Sequence, residues 1–158
     1  MKIPRAPIDE TDGWLAWKPI STIMRTDVPK VSARCTREAL EAILATASSG
    51  IALVVDDAGK PIGIVRGDAL SRAADTAAAA MEPVAFLLNE SVPISLASAI
   101  LASSGVHQIP IISAAQDAVG VLTAVDILSW VARQAGHRVI EATAHSAGVP
   151  ETNAARDR

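Results

Sequence analysis

The chain repeats itself once. Met24 recurs as Met81, Ile43-Leu44-Ala45 as Ile100-Leu101-Ala102, and Gly63 as Gly120, each pair 57 positions apart with no gap from first pair to last. A duplicated unit of this length is one supersecondary block used twice, and neither copy can bury its apolar face alone. The copies must pack against each other. Any small-molecule site then falls in the cleft between them, with one pseudo-equivalent site per half.

The 158 residues suffice for one compact domain with a real core, or for two very small subdomains that share one. Half of them are hydrophobic, 20% are charged, and the formal net charge is −3. That acidic balance argues against a nucleic-acid footprint, which clusters Lys and Arg on a basic face. The single cysteine, Cys35, excludes an internal disulfide and a cysteine-rich zinc site, and fits a reducing compartment. No run approaches the roughly 18 apolar residues of a membrane span, and residues 1–12 lack the apolar core of a signal peptide. These features predict a soluble, cytoplasmic protein. With no Tyr, one Phe and three Trp, a bound base would be gripped by aliphatic side chains and backbone.

Residues 1–18 read as an irregular arm, broken by Pro4, Pro7 and Gly13, with Trp14 and Trp17 pinning it to the body or to a partner. The first repeat spans 19–80. Thr36 to Ser48 has helical spacing, with Thr36 as its cap. The run Ile51 to Val55 reads as a buried strand, Asp56 to Lys60 as a turn and Pro61 to Val65 as the returning strand. A second helix is predicted from about Asp68 through Ala73–Ala80. The second repeat, 81–135, has the same order: a helix from Pro93 to Ser103 with Leu96, Ala97, Ile100 and Leu101 on one face, strands at Ile109–Ile112 and Ala118–Leu122, and a closing helix from Val125 to Gln134. Short extended segments at 28–31 and 84–88 precede the helices. The polar tail, 136–158, is expected to be partly disordered. The fold class predicted is α+β, two pseudo-symmetric helix–strand–strand–helix units packed through their sheets.

The sharpest local motif is Gly120-Val121-Leu122-Thr123-Ala124-Val125-Asp126-Ile127-Leu128. A strand ends at Thr123 and a helix starts beside it, so unpaired N–H groups and the positive end of the helix dipole favour a phosphate there. The two carboxylate oxygens of Asp126 match the adjacent 2′ and 3′ hydroxyls of a ribose. Thr-x-x-Asp at a helix start also reads as a capping box, which needs no ligand.

The duplicated units, the Ile109-Pro110-Ile111-Ile112 strand and the Gly120–Leu128 ending resemble a pair of CBS domains, a Bateman module, over 19–134. The resemblance implies cleft sites in which one repeat supplies a ribose-binding Asp and a phosphate-facing Ser or Thr, while the other supplies the base-binding strand. The implied ligand is an adenosine derivative: AMP, ADP, ATP or S-adenosylmethionine. Carried over, one site combines Thr123 and Asp126 with Gly50, Ile51 and Ala52. The other combines Arg66 and Asp68 with His107 and Gln108, the basic His107 facing the phosphate. This second site departs from the pattern, because Arg66 stands opposite Thr123 and Ala69 opposite Asp126, with Asp68 one position early. Asp68 either caps its own helix or, if the turn is one residue shorter, meets the ribose.

The resemblance further implies a homodimer associating through helices, for which the apolar residues Ile43, Leu44, Ile127 and Leu128 and the helix 73–80 are available. The function expected is a non-catalytic sensor that binds an adenine nucleotide as regulatory ligand, uses no cofactor, and signals to a target protein the sequence does not identify. The rival reading is a ligand-free dimerisation or docking module. No acid, base and nucleophile converge in a catalytic motif, and His107, His137 and His145 lack metal-ligand spacing, so neither an enzyme nor a metal site is expected.

Overall fold

The computed structural model describes residues 17–70 and 74–136. The arm up to residue 16 with Trp14, residues 71–73, and the tail from 137 with His137 and His145 lie outside them. Two sheets make up the frame. In the first, β1 (Lys30–Ser32) runs parallel to β2 (Ile51–Val55), β2 forms a hairpin with β3 (Pro61–Arg66), and β4 (Glu82–Pro83) closes the edge antiparallel to β3. In the second, β5 (Leu88–Asn89) runs parallel to β6 (Gln108–Ile112), which forms a hairpin with β7 (Ala118–Thr123). Even the irregularities are duplicated: the register shifts between Val54 and Val55, and again between Ile111 and Ile112.

Helix α1 (Arg37–Thr46) covers the first sheet, its start capped by Thr36 Oγ1, which accepts from the Ala39 N–H at 3.5 Å. Leu40 and Leu44 point into a core with Ala52, Val54 and Val65. The longer pair of helices, α3 (Ile94–Ser104) and α4 (Ala124–Gln134), does the same for the second sheet, where Ile94, Ala97 and Leu101 meet Ile109, Ile111 and Leu122. The buried stripe of α3 thus runs 94, 97, 101, and Leu96, expected on the buried face, is 52% exposed. Between the sheets lies a third apolar layer of Val28, Ile51, Leu53, Ile64, Ala118 and Val121. Strands covered on both faces need apolar residues at every position, which is why Ile51–Val55 reads as an unbroken hydrophobic run.

The long helix expected from Asp68 to Ala80 does not form. A single 3-10 turn spans Gly67–Ala69, and α2 is only Ala77–Ala80. Thr76 pairs with Thr36 as an isolated β-bridge and caps Ala79, while Arg37 N–H donates to Asp75 O at 3.0 Å. These tertiary bonds hold 75–76 extended, and they override the high helix propensity of alanine.

The segments leading into each repeat are docked by the same bonds. Ile20 N–H donates to Val92 O, Ser21 N–H to Glu90 O and Ile94 N–H to Lys18 O; in the other copy, Ala77 N–H donates to Cys35 O, Ala78 N–H to Ala33 O and Arg37 N–H to Asp75 O. Residues 18–25 therefore dock on the second sheet, although they begin the first repeat in sequence. Residues 75–83 dock on the first. The second unit is thus closed by the start of block 19–80, and the first by the end of that block together with Glu82–Pro83 from 81–135. Ile20 sits fully buried in the second core, and Arg25 bridges to Val121 in both directions, at 2.9 and 3.0 Å.

This docking explains the paired glycines. A Cβ at Gly120 would collide with the carbonyl oxygen of Arg25, and one at Gly63 with the side chain of Met81. The sequence pairs Met24/Met81 and Gly63/Gly120 mark the two crossing points. Among the residues offered above for a dimer contact, Leu44 is buried, and Ile43 and Ile127 pack on their own cores. Leu128, also offered there, is exposed, and on α4 it stands with exposed Val125 and Val131; Trp17, Phe86 and Leu96 are the other exposed large hydrophobics among the described residues. No helix among the described residues is long and apolar enough to cross a membrane.

Candidate functional site

Strand ends of both units converge on two clefts between the sheets. The larger, about 400 Å³, is lined by Arg25, Ser49, Ile51, His107, Gln108, Thr123, Ala124 and Val125. It lies in the usual size range for small-molecule sites, about 300–1,000 Å³. The N-terminus of α4 opens onto it, with Thr123 as the capping residue. The smaller, about 140 Å³, is lined by Arg66, Glu82, Val106, His107 and Gln108, with Ile64 and Pro83 among the apolar residues beside them.

At the larger cleft, Thr123 forms a capping box with Asp126, which lies behind it and is not among the residues lining the cleft. Asp126 N–H donates to Thr123 Oγ1 at 3.2 Å, and Asp126 Oδ2 accepts from the Thr123 N–H at 2.9 Å and its hydroxyl at 2.7 Å. The remaining oxygen, Oδ1, accepts from Arg25 Nε at 2.8 Å. Asp126 is only 9% exposed, the one buried charged residue among those described. A buried carboxylate is tolerable because both oxygens are bonded and its charge is paired. The capping box and the strand-to-helix site are thus the same residues.

Of the base-facing residues expected from the first repeat, Ile51 reaches this cleft. Ala52 does not: successive side chains on a strand point to opposite faces, and Ala52 is wholly buried against α1. Gly50, at φ +62°, turns the chain into β2, and its carbonyl accepts from Gly67 N–H at 2.9 Å. It is not among the residues lining either cleft.

In the smaller cleft Arg66, His107 and Gln108 are present and Asp68 is absent from the lining. Asp68 caps no helix, since the 3-10 turn has no side-chain cap. It is 76% exposed and stands 3.2 Å from Arg66 Nε. That distance suits an ion pair, but the atoms are not aligned for a hydrogen bond, so the buried Nε has no hydrogen-bond partner. The buried Oε1 of Gln108 has none either. His107 and Gln108 line both clefts, not one.

Arg25, Ser49 and Glu82 were not visible as site residues in the sequence. Each sits near a crossing point or strand entry: Arg25 follows Met24, Glu82 follows Met81, and Ser49 precedes β2. The Met-then-charge repeat was the available signal, and reading it required knowing that the leading segments cross over. No cluster of His, Cys, Asp and Glu among the described residues could hold a metal ion.

Residues 20–75 match the family model of the CBS domain. No curated protein matches the chain by sequence. Several solved structures share its fold. The CBS domain of a CBS domain-containing membrane protein from Sphaerobacter thermophilus is 20% identical, with a TM-score of 0.68 over 74% of this chain and 90% of that one. CBSX2 in complex with AMP is 14% identical, TM-score 0.65, over 75% and 99%. The CBS domain of a bacterial CNNM/CorC family Mg2+ transporter in complex with ATP is 17% identical, TM-score 0.66, over 81% and 94%. The match over 20–75 and these shared folds converge: residues 20–75 resemble a CBS domain, and the chain has the α+β fold of CBS-domain structures.

Proposed function

We propose that the protein is a non-catalytic regulatory module that binds an adenosine nucleotide in the larger cleft. The observation that carries this reading is the composition of that cleft. One unit contributes an apolar strand entry, Ile51, and the other contributes the start of α4 with Thr123 and Ala124. An aliphatic wall suits a base, and backbone N–H groups at a helix start suit a phosphate. Gln108 also lines this cleft, and its amide can pair with the polar edge of adenine. Related folds with AMP and with ATP bound support the same ligand class. Asp126 is the ribose partner in this reading, and Thr123 faces the phosphate through the helix start it caps.

The smaller cleft is the second, weaker site, with Arg66 and His107 as phosphate contacts. Ligand binding biases the module between two arrangements of its units by its differential affinity for them, and a target protein in the cytoplasm reads the change. The exposed Val125, Leu128 and Val131 supply an apolar stripe through which two copies associate as a homodimer. That stripe also favours the alternative of a docking module that needs no ligand.

Thermal unfolding with AMP, ATP and S-adenosylmethionine separates the two. A ligand at 100 times its dissociation constant stabilises by about 2.7 kcal/mol, a shift of roughly 5–10 °C for a chain of this size. A shift with at least one ligand, lost in Thr123→Val, is the expected result. No shift with any of them overturns the nucleotide reading in favour of docking, and sedimentation of Leu128→Glu tests the homodimer.

A further inference from the structure

The carboxylate assigned above to the ribose is already occupied. Thr123 takes both available contacts on Oδ2 of Asp126, and Arg25 Nε takes Oδ1. Arg25 cannot withdraw as a backbone, because Val121 bonds it in both directions and Gly120 leaves its carbonyl in tight contact. Its side chain is different. It is 38% exposed, lines the larger cleft, and has Asp126 as its only side-chain partner among the described residues, so both terminal amino groups are unbonded.

Resting on the nucleotide reading above, we propose that Arg25 is a latch that makes the larger cleft selective for phosphorylated nucleosides. A ribose diol takes Oδ1 of Asp126 only when the same ligand carries an anion to receive the released guanidinium. Withdrawing the part-exposed Arg25 side chain leaves the buried Asp126 carboxylate without its counter-charge, which is unfavourable. Ribose hydroxyls replace the hydrogen bond to Oδ1 but not the lost cation. A phosphate restores the charge pairing, and the guanidinium fork fits it with two parallel hydrogen bonds. Adenosine offers the diol without the anion. S-adenosylmethionine offers the diol and a carboxylate, but its sulfonium and ammonium groups leave it net positive, and the sulfonium stands where AMP carries its phosphate. Both are therefore disfavoured against AMP. The smaller cleft has no such latch: Glu82 occupies the position equivalent to Arg25, and Ala69 the position equivalent to Asp126.

Calorimetric titration of the full chain with AMP, adenosine and S-adenosylmethionine, repeated on Arg25→Gln, tests the latch. The wild type is expected to bind AMP at least about tenfold tighter than adenosine, the worth of one charge-assisted hydrogen bond, and to bind S-adenosylmethionine more weakly than AMP. In Arg25→Gln, AMP weakens and adenosine tightens, so the ratio falls toward one. Arg25→Lys, which keeps the charge and loses the fork, retains a reduced preference for AMP, and serves if the glutamine variant does not fold. An unchanged AMP-to-adenosine ratio in either variant, or wild-type binding of adenosine as tight as AMP, overturns the latch and leaves the nucleotide reading standing. No heat with any ligand in any of these proteins overturns both.

Discussion

The two clefts are built on the same backbone and carry opposite chemistry. Position for position, Arg25, Ser49, Ile51 and Thr123 of the larger correspond to Glu82, Val106, Gln108 and Arg66 of the smaller, and behind Thr123 stands Asp126 where the other repeat has Ala69 in sequence. The strand registers, the bulges and the bonds that dock the leading segments are the same in both. Duplication thus preserved what closes the sheets and released what lines the grooves. The larger cleft places the acid on the helix and the base on the crossing segment. The smaller places the base at the strand end and the acid on the crossing segment, and it encloses about a third of the volume. Backbone pairing is shared by every side chain at a position, so it survives substitution. Site chemistry is not shared, and it diverges first.

The sharpest way to break that comparison is at the crossing points. Gly120→Ala meets the rigid Arg25 carbonyl and is expected to cost about 3 kcal/mol, whereas Gly63→Ala meets only the Met81 side chain and costs about 1 kcal/mol. Urea unfolding of both variants measures the difference; equal losses would mean the two crossings are packed alike. Next in size is the acid. Asp126→Asn unpairs Arg25 and is expected to destabilise by about 2 kcal/mol, against less than about 0.5 kcal/mol for the exposed Asp68→Asn. A comparable loss at Asp68 would show that its contact with Arg66 is more than a surface pair. The smallest contrast is between the helix starts. Thr36→Ala removes a long cap bond and should cost about 0.5 kcal/mol, while its counterpart Pro93 caps with no side chain, so Pro93→Ala loses nothing from that source. Thermal melts of the two variants resolve this, and a greater loss at Pro93 would contradict it.

Much of the frame was legible in the residues. The strands at Ile51–Val55 and Ala118–Thr123 and the helix capped by Thr36 came out where periodicity placed them, because a strand buried on both faces and an amphipathic helix write strong local patterns. The Ala-rich stretch misled for the opposite reason: its local preference is helical, and only the pairing of Thr76 with Thr36 keeps its start extended. Of the residues singled out for the site, Thr123, Ile51, Arg66, His107 and Gln108 line a cleft, while Asp126 lies behind Thr123. Ala52 lines neither, since alternation along β2 turns it to the helix side, and Arg25 could not be found, because its bond to Asp126 spans 101 residues.

The residues alone determined that the chain is doubled, in which order each copy runs through helix and strand, and where a helix start meets a strand end, because those signals depend on neighbours within a few positions. The tertiary structure alone decided that each leading segment lies on the other copy's sheet. That choice delivers Arg25 to Asp126 and Glu82 to the opposite groove. It rests on edge pairing and burial between segments far apart in the chain, and no local pattern encodes which of two similar edges a segment will take.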